Sequence, residues 1–240
     1  MGSSLRELEA LQTRILERIA HLELSLHAHR LSPLSLSSGD GAVTGGGGGG
    51  GDGGGGGFST ESRLSAVLFA GGVRDFSFKR VPSDYYDRSL EERRDILGAP
   101  SIDHLCKSIV LVNTQAPASV ADCSNHSNSK YYIVVIQYKA RLNAENIKNS
   151  IYTLNDRQIP KKKFNFRLAP EEESVALTGY VHNAVTCIGM KTNIPVILDE
   201  AIAKLEPNFF WLGGGEVDLK LGIRTPQFIN AVNPFVVSCS

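Results

Sequence analysis

A glycine tract near the N-terminus constrains this chain more than any other feature. Glycines run from Gly45 to Gly57, interrupted only by Asp52, and a Ser/Gly-rich stretch leads into them from Ser37. Such a segment has no side chains to bury, so it cannot join a packed core and is expected to behave as a flexible coil. A phosphate-cradling glycine loop needs a strand before it and a helix after it at fixed spacing. No strand pattern precedes this tract. The tract takes up half of the 24 glycines and divides the 240 residues into unequal parts. The larger, C-terminal part is long enough to bury a sizeable core. The expected organisation is a helix over 1–33, a disordered linker over 34–61 and a globular domain over 62–238.

The N-terminal part is periodic. Leu5, Leu8, Gln12, Ile15, Ile19, Leu22, Leu26 and His29 alternate at spacings of three and four, a heptad seam flanked by Arg6, Glu7, Glu9, Arg14, Glu17 and Arg18. Two readings stay open. One is a short coiled coil that joins a partner or a second copy through residues 5–30; the other is a lone amphipathic helix. Pro33 ends the pattern. The same acids, with no apolar block, give no expectation of a secretory or transit leader, and Arg6 occupies the place where a myristoylation motif needs Ser or Thr. No apolar run reaches the ~18 residues of a membrane span. A cytoplasmic location without membrane association is therefore expected.

Charge is balanced, with 25 basic and 25 acidic residues, which excludes a globally polybasic nucleic-acid binder but not a local patch. Between Lys130 and Arg167 basic residues far outnumber the two acids, Glu145 and Asp156. There Lys161-Lys162-Lys163 precede Phe164 and Phe166. Basic clusters with interleaved aromatics can grip phosphates and stack bases; a solvated lysine-rich turn is the plainer alternative. The cysteines, Cys106, Cys123, Cys187 and Cys239, contain no CxxC pair, so reduced thiols are expected and a zinc site is not. Asn125-His126-Ser127 fits a glycosylation sequon but reads as an ordinary loop.

Local signals in the C-terminal part mix helices and strands without regular βαβ alternation. Ser89 with Glu92 forms a capping box, and Gly98 a stop, for a helix ending at Leu97. Lys107 to Asn113 and Tyr131 to Tyr138 read as buried strands. Asn143 caps a helix to about Leu154, and Pro170 with Glu171 to Glu173 opens another. Short helices are expected over 62–70 and after Thr225-Pro226. Further strands are expected at 76–81, 164–168, 194–198, 209–212 and 217–221. This pattern predicts an α+β fold with a mixed, barrel-like sheet. No GxSxG, HExxH, P-loop or dinucleotide fingerprint is present, and nothing calls for a metal or cofactor.

Four segments, in order, resemble one family. Cys106 to Val112 is similar to the strand that carries the key lysine of the YbaK/ProX aminoacyl-tRNA deacylases, a family that includes the editing domain inserted in bacterial prolyl-tRNA synthetases. Leu177 to Val181 resembles its Thr-Gly-Tyr turn, Ile194 to Asp199 its Pro-x-x-Ile-Asp strand end, and Phe210 to Leu221 its Gly-rich hairpin. The resemblance spans about 101–232. It implies a mixed, barrel-like fold and hydrolysis of the ester between a wrong amino acid and the terminal ribose of a tRNA. Such proofreading is needed because one pocket separates small side chains by only ~1–3 kcal/mol. It also implies Lys107 as anchor or polarising cation, with Thr178, Gly179 and Asp199 in the catalytic set.

The substrate loop departs from the family. Where the family has Gly-x-x-x-Pro, this chain has Asn183-Ala184-Val185-Thr186-Cys187, with Gly179 and Gly189 kept on either side. Asn tolerates left-handed backbone better than most residues, so the loop shape is expected to survive. The resemblance makes Asn183, Ala184, Thr186, Cys187, Gly189, Gly213 and Gly214 the expected substrate-binding set, with Asn183 and Thr186 available as side-chain donors. Cys187 has no matched histidine and is not expected to be a nucleophile. Lys161, Lys162 and Lys163 are the expected tRNA contacts. Two functions remain open: a trans-editing hydrolase, or a non-catalytic module that binds tRNA or synthetases and is tethered by its N-terminal helix.

Overall fold

A computed structural model describes residues 59–240. The expected N-terminal helix and most of the glycine linker lie outside the described residues. The described chain is a mixed α+β fold. In order it forms α1 (Thr60–Ala70), β1 (Phe76–Arg80), α2 (Leu90–Leu97), β2 (Cys106–Asn113), β3 (Tyr131–Gln137), α3 (Ala144–Leu154), β4 (Phe166–Leu168) and α4 (Glu171–Thr178). It continues with β5 (Val196–Asp199), α5 (Glu200–Ala203), β6 (Phe209–Gly213), β7 (Leu219–Arg224), α6 (Thr225–Val232) and β8 (Phe235–Val237). Single 3-10 turns lie at Tyr85–Asp87, Ile102–His104 and Lys161–Lys163.

The strands form a three-stranded antiparallel sheet, β1-β7-β6, and a five-stranded mixed sheet, β4-β2-β3-β5-β8. The strand β3 is central, antiparallel to β2 and parallel to β5. An isolated parallel bridge, Leu105 to Trp211, joins the two sheets.

Both faces of the large sheet are covered, which explains why β3 is an almost unbroken apolar run. One face, with Val110, Ile133 and Val135, packs against Phe210, Leu221 and Ile223 of the small sheet and Leu64 and Leu68 of α1. The other, with Leu111, Val134 and Ile136, receives Ile147 and Ile151 from α3.

Side chains set the helix ends as expected. The Ser89 hydroxyl accepts from the Glu92 N–H while Glu92 accepts from the Ser89 N–H, and Gly98 closes α2 in left-handed geometry at φ 69°. Asn143 Oδ1 accepts from the N–H groups of Glu145 and Asn146 at the start of α3.

The hairpin strand β7 starts two residues later than expected and runs to Arg224, because Glu216 to Asp218 are taken up in the turn. There the Leu219 N–H donates to the Glu216 carbonyl. The strand β8 was not expected; it follows Pro234 and pairs with β5 in parallel.

Candidate active site

Strand β4 is short, and this creates the site. It pairs with β2 only from Leu111 to Asn113, and the Ala169 N–H closes the ladder on the Val110 carbonyl. Lys107 to Val110 therefore form an edge that β4 does not cover. The chain leaves β4 for α4, and a cavity of about 280 Å³ opens between this edge, the first turns of α4, the turn at His182 to Val185 and Gly213 at the end of β6. Ile109, Val110, Val175 and Val185 give it apolar walls; Lys107, Glu171, His182 and Asn183 are among its polar side chains, with hydroxyl-bearing residues that include Tyr86 and Tyr138.

Lys107 is half-buried, with its ammonium 5.7 Å from the centre of the Tyr138 ring. It forms no ion pair among the described residues. Its neighbour Ser108 is buried on the same edge, and the Ser108 hydroxyl has no hydrogen-bond partner among the described residues.

The turn opposite keeps the conformation a glycine would give. Asn183 sits at φ 64°, in the left-handed region, which bears directly on the expectation that the loop shape survives the loss of glycine. The Ala184 N–H donates to the Val181 carbonyl, and the Ala184 carbonyl accepts from the Gly215 N–H at 3.1 Å. The glycines of the hairpin permit this backbone-to-backbone contact. A Cβ on Gly213 would lie 2.3 Å from the Val185 carbonyl oxygen.

A hydrogen-bonded chain that the sequence did not suggest supports the turn, and its central member, Tyr86, also lines the cavity. The Tyr86 hydroxyl donates to the Asn183 carbonyl at 2.6 Å. It accepts from the ammonium of Lys220 at 2.7 Å, which also donates to the Val217 carbonyl at 2.8 Å. Lys220 is only 3% exposed and lies over the Tyr86 and Tyr85 rings at 4.4 and 5.0 Å. Burial pulls its pKa down to about 8. Burial pushes Tyr86 far above the usual tyrosine range. The available signal was a lysine between Leu219 and Leu221 in an apolar strand, where an unpaired cation is rare.

Of the expected site residues, Lys107, Asn183 and Gly213 meet on this cavity. The others do not line it. Thr178 and Gly179 terminate α4: the Thr178 hydroxyl donates to the Ser174 carbonyl at 2.7 Å and accepts from the Tyr180 N–H. Gly179 supplies the left-handed cap at φ 82°. Asp199 is 1% exposed and caps α5, its Oδ1 accepting from the N–H groups of Ala201 and Cys239, both at 3.4 Å. Ala184 and Thr186 are fully buried, and the Thr186 hydroxyl accepts from the Ile188 N–H rather than donating into the cavity. Gly214 closes the hairpin on Leu219. Cys187 and Gly189 line a different cavity, of about 340 Å³, beside α1 and α6. Burial pushes the Cys187 thiol up to about 12, so it is held as an unreactive thiol.

Lys161, Lys162 and Lys163 form an exposed turn away from the cavity, with Lys161 donating to Asn149 Oδ1 at 2.8 Å. Phe164 and Phe166 are buried in the core beneath α3, at 2% and 4% exposure. These rings are therefore not available to stack bases, because strand alternation and the cover of α3 turn both inward. No cluster of three His, Cys, Asp or Glu side chains suited to a metal exists among the described residues. No described helix is long and apolar enough to cross a membrane.

The aminoacyl-tRNA editing domain family matches residues 88–231, more than half of the chain, and the chain belongs to that family. Among solved structures it is similar to a candidate trans-editing enzyme for prolyl tRNA synthetase, with a TM-score of 0.56 and 20% identity. That match covers 75% of this chain and 96% of that one. It is also similar to the hypothetical protein APE2540, with a TM-score of 0.54, 21% identity and coverage of 74% and 98%. These likenesses concern the fold. No curated protein matches the sequence significantly.

Proposed function

We propose that the chain is a trans-acting aminoacyl-tRNA deacylase that hydrolyses the ester of mischarged tRNA. The observation supporting this most strongly is that Lys107 and Gly213, from two distant segments of family resemblance, meet on one cavity with Asn183 of the departing substrate loop. In this reading the ester lies along the β2 edge. Water attacks its carbonyl carbon, negative charge develops on the carbonyl oxygen, and the Lys107 ammonium stabilises that charge. Apolar walls make one cation more effective than it would be in bulk water. The acyl carbon–oxygen bond then breaks, giving a free amino acid and a tRNA with a free ribose hydroxyl. Glu171 and His182 are the cavity-wall groups able to take the proton of the water. The cavity volume suits a small aminoacyl group.

The Lys161 to Lys163 turn is proposed to contact tRNA phosphates through its exposed ammonium groups, and the setting is proposed to be the cytoplasm, where charged tRNA is found. Residues 5–30 are proposed to join a synthetase or a second copy of the chain.

A second reading, a module that binds tRNA or synthetases without hydrolysis, is favoured by the engagement of Thr178 and Asp199 in helix caps. A panel of aminoacyl-tRNAs incubated with the purified full-length chain separates the two. The deacylase reading expects hydrolysis of at least one misacylated species well above the no-enzyme rate. Binding of tRNA with no hydrolysis on any member would replace it with the second reading.

A further inference from the structure

Tyr86 stands between a cation and a carbonyl, with the Tyr138 hydroxyl as a further neighbour, and elementary valence limits its role. A hydroxyl has one proton to give, and an ammonium has three donors and no lone pair. The Lys220 ammonium can only donate to the Tyr86 oxygen, at 2.7 Å. The single Tyr86 proton is then free for the Asn183 carbonyl, at 2.6 Å. That carbonyl belongs to the left-handed residue on which the cavity's turn is built.

We propose that Lys220 is a positioning residue: its ammonium sets the direction of the Tyr86 O–H and thereby holds the Asn183 turn in the conformation that completes the cavity. The proposal rests on reading this cavity as the editing pocket. Lys220 does not itself line this cavity and acts on the substrate only through Tyr86 and the turn.

A neutral amine would have a lone pair, which competes with the Asn183 carbonyl for the one Tyr86 proton. The turn would then lose its donor. The burial that pulls the Lys220 pKa down to about 8 places this change near physiological pH. The groups facing Lys220 are Asp218 before β7, which favours the ammonium, and Arg93 on α2, which disfavours it. Tyr85 and Tyr86 lie beneath it, and Tyr138 and Cys106 border the same space. Burial pushes the Tyr85, Tyr86, Tyr138 and Cys106 protons upward in pKa, so those four stay protonated across this range and Lys220 is the member that changes.

The test compares the full-length chain with Lys220→Met, Lys220→Arg, Tyr86→Phe and the Lys220→Met/Tyr86→Phe pair. The first measurement is hydrogen exchange of the Asn183 to Val185 amides, corrected for the intrinsic pH dependence of exchange. Tyr86→Phe keeps the ring and is expected to speed exchange of the turn about tenfold. Lys220→Met should do likewise, and the pair should be no faster than Tyr86→Phe alone, because both changes break one relay. In the parent chain protection should fall as pH rises through about 8, and Lys220→Arg should remove that fall. The second measurement is deacylation of the substrate found in the panel, where a looser turn should raise KM more than it lowers kcat. Additive effects, or parent-like exchange in a folded Tyr86→Phe, would overturn the proposal. If no aminoacyl-tRNA is hydrolysed even by the parent chain, the deacylase reading fails, while hydrogen exchange still decides the relay.

Discussion

Between Val181 and Met190 the chain turns repeatedly, and the two ends of this one loop have different surroundings. The Asn183 end faces the cavity at the β2 edge, against Gly213 and within reach of Lys107. The Cys187 end turns back beneath α1 and lines the second cavity. There the Tyr180 hydroxyl donates to the Ile188 carbonyl at 2.7 Å, and Arg63 donates to the Gly189 carbonyl at 3.0 Å. The first end is held mainly by backbone contact with the hairpin glycines and by Tyr86; the second is clamped by side chains from α1 and Tyr180. Neighbours in sequence therefore divide between a candidate site and a structural anchor. The two departures from the family pattern, Asn183 and Cys187, have separate consequences.

The strongest challenge to this division is Gly213→Ala. The added Cβ would meet the Val185 carbonyl at 2.3 Å, a backbone atom that cannot step aside alone. Stability is expected to fall by ~1–3 kcal/mol, as for overpacking, and deacylation by more than tenfold in the protein that remains folded. Chemical denaturation with a matched activity assay checks both. A folded variant with parent-like activity would mean that the hairpin does not shape the pocket.

Cys187→Ala probes the other end. It leaves a small void beside α1 and is expected to cost about 1 kcal/mol of stability while leaving deacylation within twofold of the parent. A large loss of activity at intact stability would return Cys187 to the site.

The pH dependence separates local from global effects. Lys220 has a folded pKa near 8 against an ordinary value of 10.5. Below pH 8 it is protonated in both states, and the cost of burying its charge is fully present. Between pH 8 and 10.5 the unfolded chain holds more protons, so stability should rise with pH by an amount on the order of 3 kcal/mol. Taking the difference between the parent and Lys220→Met cancels the opposite trend from the buried thiols. A flat difference across this window would show that Lys220 is not the titrating group. The fold should thus gain stability over the same range in which the Asn183 turn loosens.

The smallest effect concerns the lysine turn. Replacing Lys161, Lys162 and Lys163 with Ala should weaken tRNA binding and flatten its salt dependence, leaving deacylation at saturating tRNA unchanged. An unaltered salt slope would mark the turn as solvated surface.

Elements with strong local chemistry were legible in the sequence: α2 from its capping box, α3 from Asn143 and β3 from its apolar run. Of the residues that motif resemblance named, Lys107, Asn183 and Gly213 meet on one cavity. The resemblance also named Thr178, Gly179 and Asp199, which lie off that cavity, where helix-capping chemistry accounts for the same letters. A Thr-Gly pair ends a helix, and an Asp before Glu-Ala-Ile begins one. The Lys220–Tyr86–Asn183 relay was not legible. It joins β7, a 3-10 turn and a loop, and its meaning depends on a burial that only the assembled sheets create. The buried Phe164 and Phe166 show the same limit: a basic-aromatic pattern does not say which way the rings point.

If Lys107 acts in the cavity and Asp199 in the scaffold, the two positions respond differently to substitution, and one comparison tests this most directly. Lys107→Ala and Asp199→Asn, both confirmed folded, are assayed in single turnover on the aminoacyl-tRNA that the parent chain hydrolyses best. Lys107→Ala is expected to lose at least tenfold in rate, equivalent to ~1.4 kcal/mol of barrier, and Asp199→Asn to stay within about threefold per folded molecule. Hydrolysis indifferent to Lys107, or lost with Asp199 in a folded protein, would contradict the account.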